Sequence, residues 1–253
     1  MIRFHGCARL SMIGAICIGL VAHGVANASL TRNAAGAKNI GESGRLTIDT
    51  AGQIESDQDG KTWIFETGAQ YQVSSRLQIL VESVLYERFQ PDVGESAKGL
   101  GDTDATLSWL LSEGNRSLPS LVVGAMMKIP TAGDEIGTGK ADYSALLVLG
   151  KESGELELSV EAEYATFGAP PGETLKDQLR YTVIAEYGLT GFLAAYAELF
   201  GSSAPTAAES RSDAALVGLE MDYQLSKVAA PYISFEIDTE GVGSARAGVE
   251  WKW

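Results

Sequence analysis

Residues 61–73 read KTWIFETGAQYQV, and their period is two. Trp63, Phe65, Thr67, Ala69, Tyr71 and Val73 alternate with Thr62, Ile64, Glu66, Gly68, Gln70 and Gln72. An apolar or aromatic side chain at every second position, with mostly polar ones between, specifies a strand with one oily face rather than a helix. The same alternation recurs in TDATLSWLL (103–111), ELELSVEAEY (155–164) and GSARAGVEWKW (243–253). Working outward from these segments predicts twelve strands, near 45–54, 61–73, 76–88, 102–111, 119–130, 142–150, 155–164, 176–187, 192–200, 213–225, 230–238 and 243–253. The first and ninth are weakly patterned, and the third and sixth read equally well in either phase.

The connections alternate in kind. Ser74-Ser75, residues 151–154, 188–190 and 226–229 are tight turns, whereas FQPDVGESAKGLG, TAGDEIGTGKA, ATFGAPPGETL and GSSAPTAAESRS are longer and rich in Gly, Pro and Ser. The seven residues 112–118 are the exception on the short side.

The N-terminus reads as an export signal. Arg3 and Arg9 form a basic n-region, Leu10 to Ala22 is an uncharged apolar run, and Ala26-Asn27-Ala28 is a small-x-small cleavage site. The run is shorter than the roughly 20 residues of a transmembrane helix. Residues 1–28 are therefore expected to be a signal peptide, with Ser29 as the mature N-terminus, 29–43 a flexible periplasmic lead-in and 44–253 the folded domain.

That reading decides what chemistry remains. Both cysteines and both histidines lie inside the leader, so the mature chain has no side chains for a Ser-His-Asp triad, a Cys-His pair or a His-based zinc site. No enzyme activity, cofactor or metal is expected. The whole sequence carries a formal charge of −14, and the leader takes away two arginines and no acid, so nucleic acid is not a partner. Gly137-Thr138-Gly139-Lys140 falls short of a phosphate-binding loop, because Asp134 and Ala141 stand where that motif needs Gly and Ser or Thr. Asp57, Asp59 and Gly60 are a fragment of a calcium loop without its closing glutamate.

Alternating segments of 9 to 11 residues, an even strand number, short turns at one end and longer loops at the other define a transmembrane barrel. The fold class expected is an all-β, antiparallel, up-and-down β-barrel of about 12 strands in the outer membrane of a Gram-negative bacterium. Aromatics sort accordingly. With odd-numbered strands running outward, Trp63, Tyr143, Tyr164 and Tyr181 fall at the loop end, and Tyr71, Trp109, Tyr187, Tyr223, Trp251 and Trp253 at the turn end. Trp and Tyr prefer the membrane–water interfaces, so these are expected to touch outer-membrane lipid. Eight residues from Trp63 to Tyr71 span about 26 Å, or about 20 Å of membrane depth once tilted. The terminal Trp253 resembles the signal read by outer-membrane assembly machinery, a second expected partner.

GLGDT (99–103) and LPSLVVGAMMKIPTAGDEIGTGKADYSALLVLGK (118–151) resemble the outer-membrane barrel family labelled MetA-pathway of phenol degradation proteins. A Gly-Asp strand start is followed there by a Pro-opened strand ending in Lys and Pro-Thr-Gly, matched by Gly101, Asp102, Pro119, Lys128, Pro130, Thr131 and Gly133. Ser108-Trp109 departs from the pattern, which has a basic residue before the aromatic. The resemblance implies an outer-membrane location and uptake of small, often aromatic, compounds.

The functional candidates line the inside. Glu155, Glu157, Glu161 and Glu163 share one strand face, and facing lipid they would be prohibitively costly. Arg180 on the next strand is their expected counter-ion, with Lys128, Arg246 or Lys176 as further candidates. Glu66, Asp104, Glu186, Glu220, Asp222, Glu236 and Glu250 are also expected inward, outnumbering the bases. An acidic lumen favours cations, so the function expected is passage of small solutes through a narrow acidic channel. A closed barrel serving structure or adhesion is the alternative.

Overall fold

Each backbone N–H and C=O along a strand needs a partner, and the next strand in sequence supplies it most directly. The computed structural model describes residues 43–57, 59–133, 135–169, 175–203, 212–239 and 241–253. The expected signal peptide and nearly all of the lead-in lie outside the described residues. The strands are β1 (Leu46–Ser56), β2 (Gly60–Gln72), β3 (Leu77–Pro91), β4 (Ala97–Gly99), β5 (Thr103–Ser112), β6 (Ser120–Ile129), β7 (Asp142–Ser153), β8 (Leu156–Thr166), β9 (Gln178–Thr190), β10 (Leu193–Ser202), β11 (Ser212–Asp222), β12 (Ala229–Asp238) and β13 (Gly243–Lys252).

All pairings are antiparallel between neighbours in the chain, with β3 joined directly to β5, and β1 also pairs with β13 from Thr47↔Lys252 to Ser56↔Gly243. That last ladder closes the sheet. Leu46 and Trp253 exchange backbone hydrogen bonds at 3.0 and 2.8 Å, so the closing seam extends to the last residue. The short β4 pairs with the end of β3 and stands outside the ring, which leaves a closed antiparallel barrel of twelve strands, as the periodicity predicts. β4 is the one element the periodicity misses, because three residues are too few to display a period.

The barrel is inverted relative to a soluble core. Along β7 and β8, Leu147 and Val160 are 42% and 41% exposed on the outer face, while Glu161 between them in register is 1% exposed on the inner one. Ile79, Val81, Leu107, Leu158, Val217, Leu219, Phe235 and Ile237 continue the exposed apolar belt. The expected aromatics point outward in two tiers. At the turn end, the Trp251 and Trp253 rings stack with centroids 6.5 Å apart. At the loop end, Arg88 lies over Trp63, Tyr164 donates to Asp177 at 2.6 Å, and Tyr181 donates to Asp213 at 2.7 Å. An apolar ring with its polar tip engaged at the rim is how such residues sit at an interface.

The turns follow from local chemistry. Ser74 Oγ accepts from the Leu77 amide at 3.1 Å in the β2–β3 turn, and Asn115 Oδ1 accepts from the Ser117 and Leu118 amides in the β5–β6 turn. Gly114 has φ +72° there, and a Cβ on it would stand 2.5 Å from the Ser120 nitrogen, so only glycine fits. The connections after β3, β6, β8 and β10 are the long ones; those after β1 and β12, beside the closing seam, are short.

A lipid-facing charge should cost most at mid-height. Leu147→Arg is expected to destabilise the barrel by about 2–4 kcal/mol in vesicle unfolding, and Leu179→Arg, at the loop end, by about 0–1 kcal/mol. Equal costs would mean that the outer belt does not meet hydrocarbon.

Candidate functional site: the barrel lumen

The pleat sends every second side chain inward, and register then decides which of them meet. On β8, Glu157, Glu161 and Glu163 point inward as the alternation predicts. Glu155 stands ahead of them in the turn before β8, exposed at the rim, where its carbonyl accepts from the Gly188 amide and its carboxylate lies beside that glycine, 3.1 Å from where a Cβ would stand. The turn there is tighter than the alternation implies: β7 runs to Ser153 and leaves only Gly154 and Glu155 to reverse the chain.

The expected pairing of Arg180 with the ladder is present. Arg180 lies 3.5 Å from Glu163 Oε2, while Ser144 Oγ donates to Glu163 Oε1 at 2.5 Å. Arg180 Nε also donates to Gln178 at 3.1 Å, and its guanidinium stacks over Phe167. Neither Lys128 nor Arg246 reaches the ladder, and Lys176 stands exposed in the loop before β9. Each of the first two organises a different corner.

Arg246, on β13, bonds Glu66 at 2.7 Å, Asp49 at 3.2 Å and the Tyr232 hydroxyl at 3.1 Å, and Tyr232 in turn donates to Asp49 at 3.1 Å. This joins β2, β1, β13 and β12 across the closing seam. Lys128, at the end of β6, lies 2.5 Å from Asp142 and 3.4 Å from Asp102. The two aspartates also accept from loop backbone, Asp102 from the Ala132 amide and Asp142 from the Gly168 amide, each at 2.9 Å. Thr131 Oγ1 meets Thr103 at 2.9 Å and the Gly101 carbonyl at 3.2 Å. The residues that carry the family resemblance thus brace the outer loops, and Gly101 is pressed so near Val84 that a Cβ would stand 2.6 Å away.

Two inward tyrosines lie flat on the wall. A Cβ on Gly218 would fall 2.4 Å from the Tyr196 ring, and one on Gly248 would fall 2.7 Å from the Tyr232 ring. The absent side chains make room for the rings against the backbone and keep them out of the bore. Tyr196 donates to Glu236 at 2.5 Å, and Ser244 supports the same carboxylate at 3.1 Å.

The other expected residues are inward too. Asp104 faces Glu82 and Lys128 in register, Glu157 faces Glu186, Glu220 faces Ser234, and Glu250 pairs with Lys252 near the turn end. Sequence reasoning missed Glu82, Glu87 and Glu198. Glu82 lies on a strand legible in either phase, Glu198 on a weakly patterned one, and Glu87 follows the β2–β3 register shift between Phe65 and Glu66, which restarts the alternation. It also missed apolar side chains inside. Leu110, Val122, Val148 and Ile184 form one buried cluster, and Phe200, Ala214 and Leu216, with Tyr196 against them, form another.

The lumen is therefore divided. The β5–β10 wall is densely packed, whereas Gly218, Glu220, Tyr232, Glu236, Arg246 and Gly248 on β11–β13 are only half-buried. The described inward bases, Lys128, Arg180, Arg246 and Lys252, are each in ion pairs, and the inward acids far outnumber them. Asp57 spends one oxygen on its own turn, accepting from the Asp59 and Gly60 amides at 2.8 Å, so the calcium-loop fragment is an Asx cap. Among the described residues, no three His, Cys, Asp or Glu side chains are grouped as a metal centre would need.

No protein-family model matches the chain, and no curated protein matches its sequence. Solved structures do match its fold. A COG4313 outer membrane channel from Pseudomonas putida F1 superposes with TM-score 0.65 at 11% identity, covering 84% of this chain and 96% of that one. The KdgM porin in complex with disordered oligogalacturonate gives 0.55 at 14% identity, and the NanC porin 0.56 at 11%, each covering 81% of this chain and 98% of the other. The shared feature is the outer-membrane barrel fold.

Removing the cation of the seam cluster leaves two carboxylates facing each other with little water. Arg246→Met is expected to destabilise the barrel by about 3–5 kcal/mol, read as a lowered unfolding midpoint in detergent. Lys128→Met should instead act locally, speeding protease cleavage within 130–141 while the midpoint moves less.

Proposed function

We propose that the protein is a passive outer-membrane channel whose narrow, acidic lumen admits small cationic or neutral solutes and disfavours anions. The observation that carries this is the excess of inward carboxylates along the half-buried β11–β13 wall, where Glu220 and Glu236 flank Gly218 and the Tyr196 ring lies flat against it, out of the bore. A water-filled, low-dielectric bore lined by one sign of charge concentrates the opposite sign. An outer-membrane location is supported by the exposed apolar belt, the aromatic tiers and the fold shared with the channels above. It implies export through cleavage near Ala28/Ser29, insertion by assembly machinery that reads Trp253, and a surround of outer-membrane lipid.

The solute class is narrowed by charge. Oligogalacturonate, named with the KdgM porin, is a polyanion, and this lumen would repel it. Small organic compounds, aromatic ones among them, fit better: the clusters around Leu110 and Phe200 give the acidic lumen apolar flanks, and the resemblance carried by Gly101, Asp102, Lys128, Pro130, Thr131 and Gly133 points the same way. One observation favours a second reading, a closed barrel serving structure or adhesion. The packed β5–β10 wall narrows the bore, and a twelve-stranded ring lies between side-chain-filled and open sizes.

Planar-bilayer recording separates the two. Discrete steps with a reversal potential favouring cations are expected. Gln at Glu157, Glu186, Glu220 and Glu236 together should shift that potential toward zero with the conductance retained. A folded, inserted barrel without steps would establish the closed reading, and steps with unaltered selectivity would remove these carboxylates from the pathway.

A further inference from the structure

The carboxylate of Glu161 is anomalous within its own ladder. Two positions along β8, Glu163 is held by Ser144 and Arg180. Glu161 is as deeply enclosed, 1% exposed, yet both of its oxygens lack any hydrogen-bond partner. Thr182, its direct partner in register on β9, is 0% exposed, and its hydroxyl is likewise unpartnered.

The neighbours of this pair in register are apolar. Along the same row, Val148 flanks Glu161, and Phe200 and then Ala214 follow Thr182. The buried Glu198, diagonal to Thr182 on β10, is near enough for its charge to act on Glu161, as does that of Glu163. A carboxylate taken from water without a counter-charge is among the costliest groups to bury, and a second carboxylate beside it raises that cost. Hydroxyl and carboxylate oxygens, with no thiolate or imidazole, are the donors of hard cations.

We propose that Glu161, Thr182 and Glu198 form a lumenal binding station for a hard divalent cation of calcium's kind, completed by water. Glu161 and Glu198 supply carboxylate oxygens, and the Thr182 hydroxyl supplies a neutral one. With so few protein ligands the site belongs to the weak class, with a dissociation constant on the order of 1 mM. It does not depend on conduction: a barrel that passes no current would still hold the ion.

The test is calorimetric titration of the folded protein in detergent with Ca²⁺ alone, at constant ionic strength, paralleled by the unfolding midpoint with and without 10 mM Ca²⁺. Expected are saturable binding and a raised midpoint. Glu161→Gln should weaken binding at least tenfold and abolish the midpoint shift, and Thr182→Val should weaken binding several-fold while leaving both carboxylates. No calcium dependence in the unmodified protein, with Glu161→Gln equally or more stable, would overturn the proposal by showing that a proton neutralises Glu161. Binding unchanged in Glu161→Gln would overturn it as well, by placing the ion on other lumenal acids.

Discussion

The ladder between β1 and β13 is the constraint from which the rest follows. Hydrocarbon offers no hydrogen bonds, so an open sheet edge in the bilayer would leave a whole row of amides and carbonyls bare. Closing the ring satisfies them, and it forces the inversion as well, because one face of each strand must then meet lipid and the other the lumen. The exposed Leu147 and Val160 and the enclosed Glu161 are two results of that one closure.

Closure also makes the seam a place of concentrated charge. Asp49 and Glu66 sit near the join between the first and last strands, and Arg246 reaches both from β13 while its guanidinium lies over the ring of Tyr232. Tyr232 in turn depends on Gly248 for the room to lie down. A seam fixed only by backbone ladders slides in register at little cost; one whose side chains interlock around a single cation does not. Lys128 plays the corresponding part under the outer loops.

Most of this barrel was legible because its period survives translation into three dimensions. A lipid-facing residue must be apolar, so KTWIFETGAQYQV and GSARAGVEWKW declare their outer faces without ambiguity. The inner face obeys no comparable rule. Leu80, Leu146 and Val148 point into the lumen from strands apolar on both sides, which is why those strands could be read in either phase. Glu87 lies inward past a register shift, and Glu155 lies exposed in the turn before β8; both depend on single-residue details that a period cannot encode. Counter-ions were the least legible of all. Arg180 was found because it sits opposite Glu163 in register, whereas Arg246 and Asp49 are separated by nearly the whole chain and become neighbours only through closure.

A ring of twelve strands is too wide for its own side chains to fill symmetrically and too narrow to hold a broad column of water. The division of the lumen resolves this. On the β5–β10 side, Leu110, Val122, Val148 and Ile184 form one buried apolar cluster against the wall, and Phe200 belongs to another. On the other side, glycines and rings laid against the wall leave a half-buried strip, and the acids along it outnumber their counter-ions. Charge in excess of its counter-ions is tolerable only where solvent reaches it. The acidic surplus and the half-buried strip are therefore one property of the barrel: filling the strip would desolvate carboxylates that outnumber their counter-ions.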